Sequence, residues 1–158
     1  MEDQLFERVY EATARPLWAY VARISGDPSI ADDILQETYL RFLRAPGKPS
    51  DSAEAKSYLY KIATNLVYDR FRSLKRRNEQ EFEEAWRASD DRLDIGLELA
   101  QLFSRLTQQE RVLLWLAYVE GYDHVQISHI AKVKKLSVKV LLYRARRKLA
   151  GLVKGNNE

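Results

Sequence analysis

Outside a stretch near residues 78–96, apolar side chains recur at three- and four-residue spacing from about residue 3 to residue 153. No run of strict alternation bounded by turns argues for a strand. An all-α fold follows. The breaks in that pattern divide the chain. Residues 3–24 read as one helix, or as two joined at Pro16. Asp27 followed by Pro28 offers an N-cap and a proline at the first helical position, which predicts a second helix from about 29 to 44. The stretch APGKPSDS, 45–52, is a loop, and a third helix runs from about 53 to 77. Residues 78–96 lack a sustained apolar stripe, so the expected boundary lies there: a first domain over 1–77, a linker over 78–98 and a second domain over 99–154.

In the second part, Thr107 and Glu110 have capping-box spacing, and Gly121 is a natural stop for the helix behind them. Asp123 can cap a short helix to about Ala131. Six residues of turn, KVKKLS, then lead into a basic helix from about 136 to 153. Two short helices with a tight turn, the second of them basic, make a helix-turn-helix candidate.

Charge sharpens this division. The net charge of +3 separates into +2 over 1–77, −6 over 78–98 and +7 over 99–158. Residues 132–154 hold nine Lys or Arg and no acid, and 56–77 hold seven against one Asp, the pattern of surfaces that meet phosphate backbones. A solvated helix face is the competing explanation for either run taken alone. With no Cys and only His124 and His129, five apart, the chain has little material for a thiol nucleophile, a hydrolytic triad or a metal site. No cofactor or metal is expected. No run of about 18 apolar residues or secretory leader is present, so no membrane insertion is expected, and the cytoplasm is the expected location.

Helical projection assigns faces. On the second helix Ala31, Ile34, Leu35, Thr38 and Phe42 fall inward, while Asp33, Gln36, Glu37 and Leu40 project together, as a docking surface for a basic helix of a partner would. Asp32, Asp33 and Glu37 have no companion His, which argues against catalysis. On the third helix Leu59, Ile62, Ala63 and Leu66 form the core side. Lys61, Asn65, Tyr68 and Arg72 lie opposite, a mixture of cations, an amide and a ring suited to partly single-stranded nucleic acid. On the last helix Val138, Leu141, Leu142, Ala145, Leu149 and Leu152 make one stripe. Lys139, Val140, Tyr143, Arg144 and Arg147 face away, with Lys134 and Lys135 in the turn before them, as in a helix laid in a major groove.

Three segments resemble the extracytoplasmic-function sigma factors of bacterial RNA polymerase, in the right order and over almost the whole chain. IADDILQETYLRFLR, 30–44, is similar to the family's region-two signature. KSYLYKIATNLVYDRFRSLKRR, 56–77, is similar to its promoter-melting and minus-ten-reading helix. Residues 106–149 resemble region four, ungapped through the helix-turn-helix. The resemblance implies a non-enzymatic, dissociable subunit that directs core RNA polymerase to promoter DNA. Asp33, Gln36, Glu37 and Leu40 would dock on the clamp helices of the largest subunit. Lys61, Asn65, Tyr68 and Arg72 would meet minus-ten DNA, with the loop at about 45–56 receiving a flipped base. Lys134, Lys135, Lys139, Val140, Tyr143, Arg144 and Arg147 would meet the minus-thirty-five duplex. An anti-sigma factor is a further partner the family implies. Competing classes are a helix-turn-helix regulator acting without polymerase and a protein-binding adaptor whose basic faces are inert.

Departures from the family pattern sit mainly in region four. Ser128 and Lys132 stand where Ala and Gly are usual, Leu136-Ser137 where Gly-Thr is usual, and Val140-Leu141 where Ser-Arg is usual. In region two, Tyr58 stands for Trp and Thr64 for Arg. A non-glycine residue at 132 must take a positive φ or reshape the turn. Fewer polar groups on the recognition helix, beside a cluster of lysines, predict upstream binding that is less base-specific and more salt-dependent.

Overall fold

The computed structural model describes residues 2–47, 49, 51–77 and 97–156, and every regular element among them is helical. The expected linker, 78–98, therefore falls almost wholly outside the described residues. Helix α1 is Glu2–Ser25, unbroken through Pro16. An interior proline costs a helix about 3 kcal/mol, and the burial of Val9, Leu17, Tyr20, Val21 and Ile24 along one side outweighs it. Gly26, at φ 81°, ends α1 and donates to the Ala22 carbonyl at 2.8 Å. Asp27 then caps α2 (Pro28–Arg44), its carboxylate accepting from the Ser29 amide at 3.0 Å. Helix α3 is Ser52–Arg77, with Asp51 accepting from the Ala53 amide at its start.

These three helices pack together around Tyr20, Ile34, Phe42, Leu59, Ala63 and Val67. Buried hydroxyls there are paired, as they must be away from water. Thr13 lies 2.6 Å from the Tyr39 hydroxyl, and Thr64 lies 2.7 Å from that of Tyr20 while donating to the Tyr60 carbonyl. Thr64, the departure from the usual Arg, is thus a core residue with no exposure at all. Burial, only partly offset by the Thr64 hydrogen bond, holds the Tyr20 phenol well above its ordinary range.

The second half begins with α4 (Leu97–Ser104). Helix α5 (Gln108–Leu114) opens on the expected capping box, with Thr107 accepting from the Glu110 amide and the Glu110 carboxylate accepting from the Thr107 amide. The helix does not run evenly to Gly121. It widens into a π-helical turn at Trp115–Val119, where the Glu120 amide reaches back to the Trp115 carbonyl at 3.1 Å. Asp123 and Gln126 form a second capping box for α6 (His124–Ala131). Lys132 then adopts φ 57°, ψ 44°, and α7 runs from Lys135 to Asn156.

The turn of the helix-turn-helix is therefore three residues long, not six. One left-handed residue reverses the chain, and Leu136 and Ser137 already belong to the first turn of α7, where Leu136 is 92% exposed. Buried Arg111 ties the halves together: its guanidinium donates to the carbonyls of Phe103 and Ser104 at the end of α4 and of Ile24 at the end of α1. Carbonyls at helix C-termini have no partner within the helix, and a cation there also meets the negative end of the dipole.

The main core does not stop at the domain boundary expected near residue 78. It continues from α1–α3 through Val112, Leu113 and Leu116 of the α5 segment to Ile127 and Ile130 of α6 and Val138 of α7, with α3 packed directly against α6. A smaller cluster of Phe103, Leu106, Leu114 and Ala145 belongs to the second half alone.

A left-handed conformation costs an L-residue about 1–2 kcal/mol, whereas glycine bears only its larger unfolded-state entropy. Lys132→Gly should raise unfolding stability by about 0.5–1 kcal/mol in urea or thermal denaturation; an unchanged midpoint would show that the turn carries no strain.

Candidate nucleic-acid and partner interfaces

Helix α2 turns its apolar stripe into the three-helix core, and this leaves the opposite face in solvent. Asp33 and Gln36 are exposed, Glu37 is half-buried, and Leu40 is 43% exposed among them. Leu43 extends the apolar part of the patch. Glu37 pairs with Arg41 one turn along at 3.0 Å, and Asp33 lies 4.0 Å from Arg70 of α3. Such exposed pairs contribute a few tenths of a kcal/mol and exchange readily for a partner's cations. Asp32 is turned elsewhere, accepting from the Trp18 indole at 2.8 Å, so the three neighbouring acids do not converge on one point.

The face expected to be free on α3 is only partly so. Lys61 and Arg72 are exposed, Arg72 pairing with Asp69. Asn65 and Tyr68 are half-covered. The Tyr68 hydroxyl donates to the Ala131 carbonyl at the end of α6, 3.4 Å away, and burial pushes its phenol up to about 12. The Asn65 side-chain oxygen is buried without a hydrogen-bond partner. Beside Lys61 a cleft of about 290 Å³ opens between Pro49 of the loop, Ser57 and Tyr58 of α3, and Gln126 and His129 of α6. Helical projection sets Asn65 and Tyr68 outward. They do lie opposite the three-helix core, but the helix-turn-helix occupies that side.

One carboxylate joins the two halves at this seam. Glu120, its side chain 6% exposed, accepts from the Tyr60 hydroxyl at 2.9 Å and pairs with Lys56 at 3.3 Å. Lys56 also sits over the Tyr60 ring, 5.8 Å from its centre. Burial first, then the Glu120 charge, raises the Tyr60 phenol far above its ordinary range. Tyr122 packs edge-on against Tyr60, its own hydroxyl buried without a partner.

On α7, Val138, Leu142 and Ala145 are buried, and the outer face carries the expected set. Lys134, Lys135, Lys139, Val140, Tyr143, Arg144 and Arg147 are all exposed. The Arg147 guanidinium donates to the Tyr143 hydroxyl at 3.2 Å and lies over its ring. Of the unusual apolar pair, only Val140 reaches the surface; Leu141 is half-buried against the core, so a polar side chain there would not have faced a groove freely. Lys148 is drawn to the other side, where it pairs with Glu110 at 3.0 Å. Partial burial works to raise Glu110, but the Thr107 amide and Lys148 prevail and hold it below its ordinary value. His124 and His129 are exposed and converge on nothing.

A feature that spacing did not reveal lies between the end of α5 and α7. Trp115, Tyr118, Val119, Leu149 and Val153 line an open, mainly apolar groove of about 760 Å³, with Arg146 and Lys154 at its rim. Tyr118 and Val119 are both more than half exposed. The π-helical turn offsets the register there, so an α-helical count does not locate these side chains.

The family model for sigma-70 region 2 matches residues 9–77, and that for sigma-70 region 4 matches 96–149. Among curated proteins, the ECF RNA polymerase sigma factor SigL of Mycobacterium tuberculosis is 32% identical over 94% of this chain and 88% of its own length. SigM of Bacillus subtilis is 24% identical over 92% and 93%. Among solved structures, the sigma factor RpoE of Bartonella quintana, in complex with the anti-sigma factor NepR, shares the fold at a TM-score of 0.72, with 19% identity and 98% of each chain covered. Both sigma regions are thus present in order, and at this identity over nearly the full length the chain belongs to the ECF RNA polymerase sigma factors.

Proposed function

We propose that this sigma factor, which directs transcription initiation with RNA polymerase, divides that work among three helix faces. The outer face of α2 docks on the clamp helices of the polymerase largest subunit through Asp33, Gln36, Glu37 and Leu40. The polar side of α3 reads the melted minus-ten element through Lys61, Asn65, Tyr68 and Arg72. Helix α7 lies in the minus-thirty-five major groove. In this reading residues 1–77 and 99–154 are the two working domains, 78–98 connects them, and the chain acts in the cytoplasm as a non-catalytic subunit. The relative solved with an anti-sigma factor supports such a protein as a further partner here.

The observation that carries the reading is the α2 patch. An exposed leucine among acids and an amide, on a helix whose other side is fully packed, has no role in a regulator that binds duplex DNA alone. A basic helix on the partner satisfies both parts of it. The α3 face supports strand reading by its chemistry: an amide for base edges, a ring for stacking and cations for phosphates. Extruding a base costs a few kcal/mol, and the cleft beside Lys61, with Tyr58 in its wall, is a place where that cost can be offset.

Replacing Asp33, Gln36 and Glu37 together by Ala should weaken binding to purified core polymerase by about 100-fold or more, as loss of hot-spot contacts does, with the helical circular dichroism unchanged. Core binding at wild-type strength would rule out the α2 face. Asn65→Ala should alter minus-ten base preference in run-off transcription while leaving core affinity intact. For upstream duplex binding, log affinity should fall with log salt at a slope of about −4 to −5, as expected if the five cations of the α7 face each neutralise a phosphate. Lys139→Ala should reduce that slope by about one without changing base preference; a change in preference would make Lys139 a base reader.

A further inference from the structure

Helix α7 carries an apolar stripe that the core does not use. Leu136, Val140 and Tyr143 are 92%, 49% and 51% exposed. At 100° per residue they fall within about 60° of one another, with Arg147 on the same line. Val138, Leu142 and Ala145, which anchor the helix, lie opposite. We infer that Leu136 and Val140 are base readers of this helix, and that what they read is the C5 methyl of thymine on the floor of the minus-thirty-five major groove. The inference rests on the placing of α7 in that groove proposed above, and the experiment below separates the two.

The short turn makes the stripe. Lys132 alone reverses the chain through its left-handed conformation, and α7 starts at Lys135, so Leu136 stands in the first helical turn, one turn before Val140. A recognition helix presents its N-terminal residues to base edges, and these two lead into the groove. Along the axis they are about 6 Å apart, on the order of two base-pair steps. Leu136 buries almost nothing within the chain, so its apolar surface gains only from a partner.

The flanks of the stripe say which partner. Lys135 and Lys139 lie on one side of it and Arg144 on the other, all exposed, and no acid occurs between residues 132 and 154. Arg147 closes the far end, its guanidinium 5.9 Å from the centre of the Tyr143 ring and donating to the Tyr143 hydroxyl. A ridge with cations on both flanks matches a duplex, which has phosphates along both walls of the groove and bases on its floor.

On that floor the thymine methyl is the prominent apolar group among hydrogen-bond donors and acceptors. A branched aliphatic side chain gains by covering the methyl. Over a pair that offers only polar edges it strips water and returns no hydrogen bond. Attraction to one base and a penalty on the others together make specificity. Leu136 and Val140, where Gly and Ser are usual, thus change what the helix reads and do not leave it reading charge alone.

Deoxyuridine lacks only this methyl and pairs as thymidine does. Duplexes selected by the full chain from a randomised pool should carry T·A pairs at two positions within a few steps of each other. Uracil in place of thymine at either position should weaken binding about threefold to fivefold in a mobility-shift assay, as loss of one buried methyl does. That ratio should be the same at about 50 and about 200 mM salt, while the affinity itself falls steeply. Leu136→Ala should erase the uracil effect at one position and Val140→Ala at the other, each with wild-type helical circular dichroism.

Selected duplexes without thymine, no loss with uracil, or a uracil effect that survives in both variants overturns the methyl reading. So does weaker core-polymerase binding by Leu136→Ala with duplex binding unchanged, which would make the ridge a protein contact. Arg144→Ala tells which premise has failed. If it weakens binding to the selected duplexes while uracil is tolerated, α7 lies in the groove and the methyl reading falls. If it has no effect, α7 is not the duplex-binding face and both readings fall.

Discussion

The ring of Tyr60 has to be buried and its hydroxyl has to find a partner, and the two requirements are met in different halves of the chain. The ring packs within the three-helix core, 4.9 Å from that of Tyr20, while the hydroxyl points out of that core to Glu120. A phenol with an apolar body and a polar tip suits such a seam. Around this contact the rest of the arrangement is ordered: Tyr20 continues to Thr64 on one side and approaches Trp115 on the other, Tyr122 closes the edge, and Lys56 completes the charge of Glu120. The position of α6 over α3, and with it the partial covering of Asn65 and Tyr68, follows from these contacts together with the apolar core that the two halves share.

The same economy governs the acids of the basic half. Between residues 99 and 154 there are three, and each has a structural task away from the α7 face. Asp123 caps α6, Glu110 closes the α5 capping box and holds Lys148, and Glu120 holds the seam. None stands among Lys134, Lys135, Lys139, Arg144 and Arg147. Clustering cations costs a fold some self-repulsion, but a face without acids keeps its full field for a polyanion. Lys148 shows the converse: it is a cation of α7 drawn off that face by an acid of α5.

What was legible in the sequence was local. Caps are short-range chemistry, so the Asp27-Pro28 start of α2, the Thr107 and Glu110 box and the Asp123 start of α6 stand where the residue order placed them. Helix faces follow from a constant 100° per residue, and the stripes of α2 and α7 came out as projected. The errors arose where that constancy fails or where contacts are distant in sequence. The π-helical turn shifted Tyr118 and Val119 out of register and hid the groove they line. Lys132 takes the left-handed conformation that its place in the turn required, and by reversing the chain in one residue it shortened the turn from six residues to three. Glu120 carries no local signal at all, since its partners are some sixty residues earlier. For the same reason the projection of α3 could show which side was polar, but not that α6 would lie on it.

A buried ion pair is weak evidence of strength, because taking both charges out of water costs most of what their attraction returns. The pair of Glu120 and Lys56 is half of this kind: the Glu120 side chain is enclosed while that of Lys56 is 38% exposed. Its effect is therefore on position more than on stability. It selects one docking of α6 on α3, while the apolar core that runs from α1–α3 through Val112, Leu113 and Leu116 to Ile127, Ile130 and Val138 supplies most of what holds the halves together. The α2 patch lies apart from this seam, with Leu40 and Leu43 both exposed.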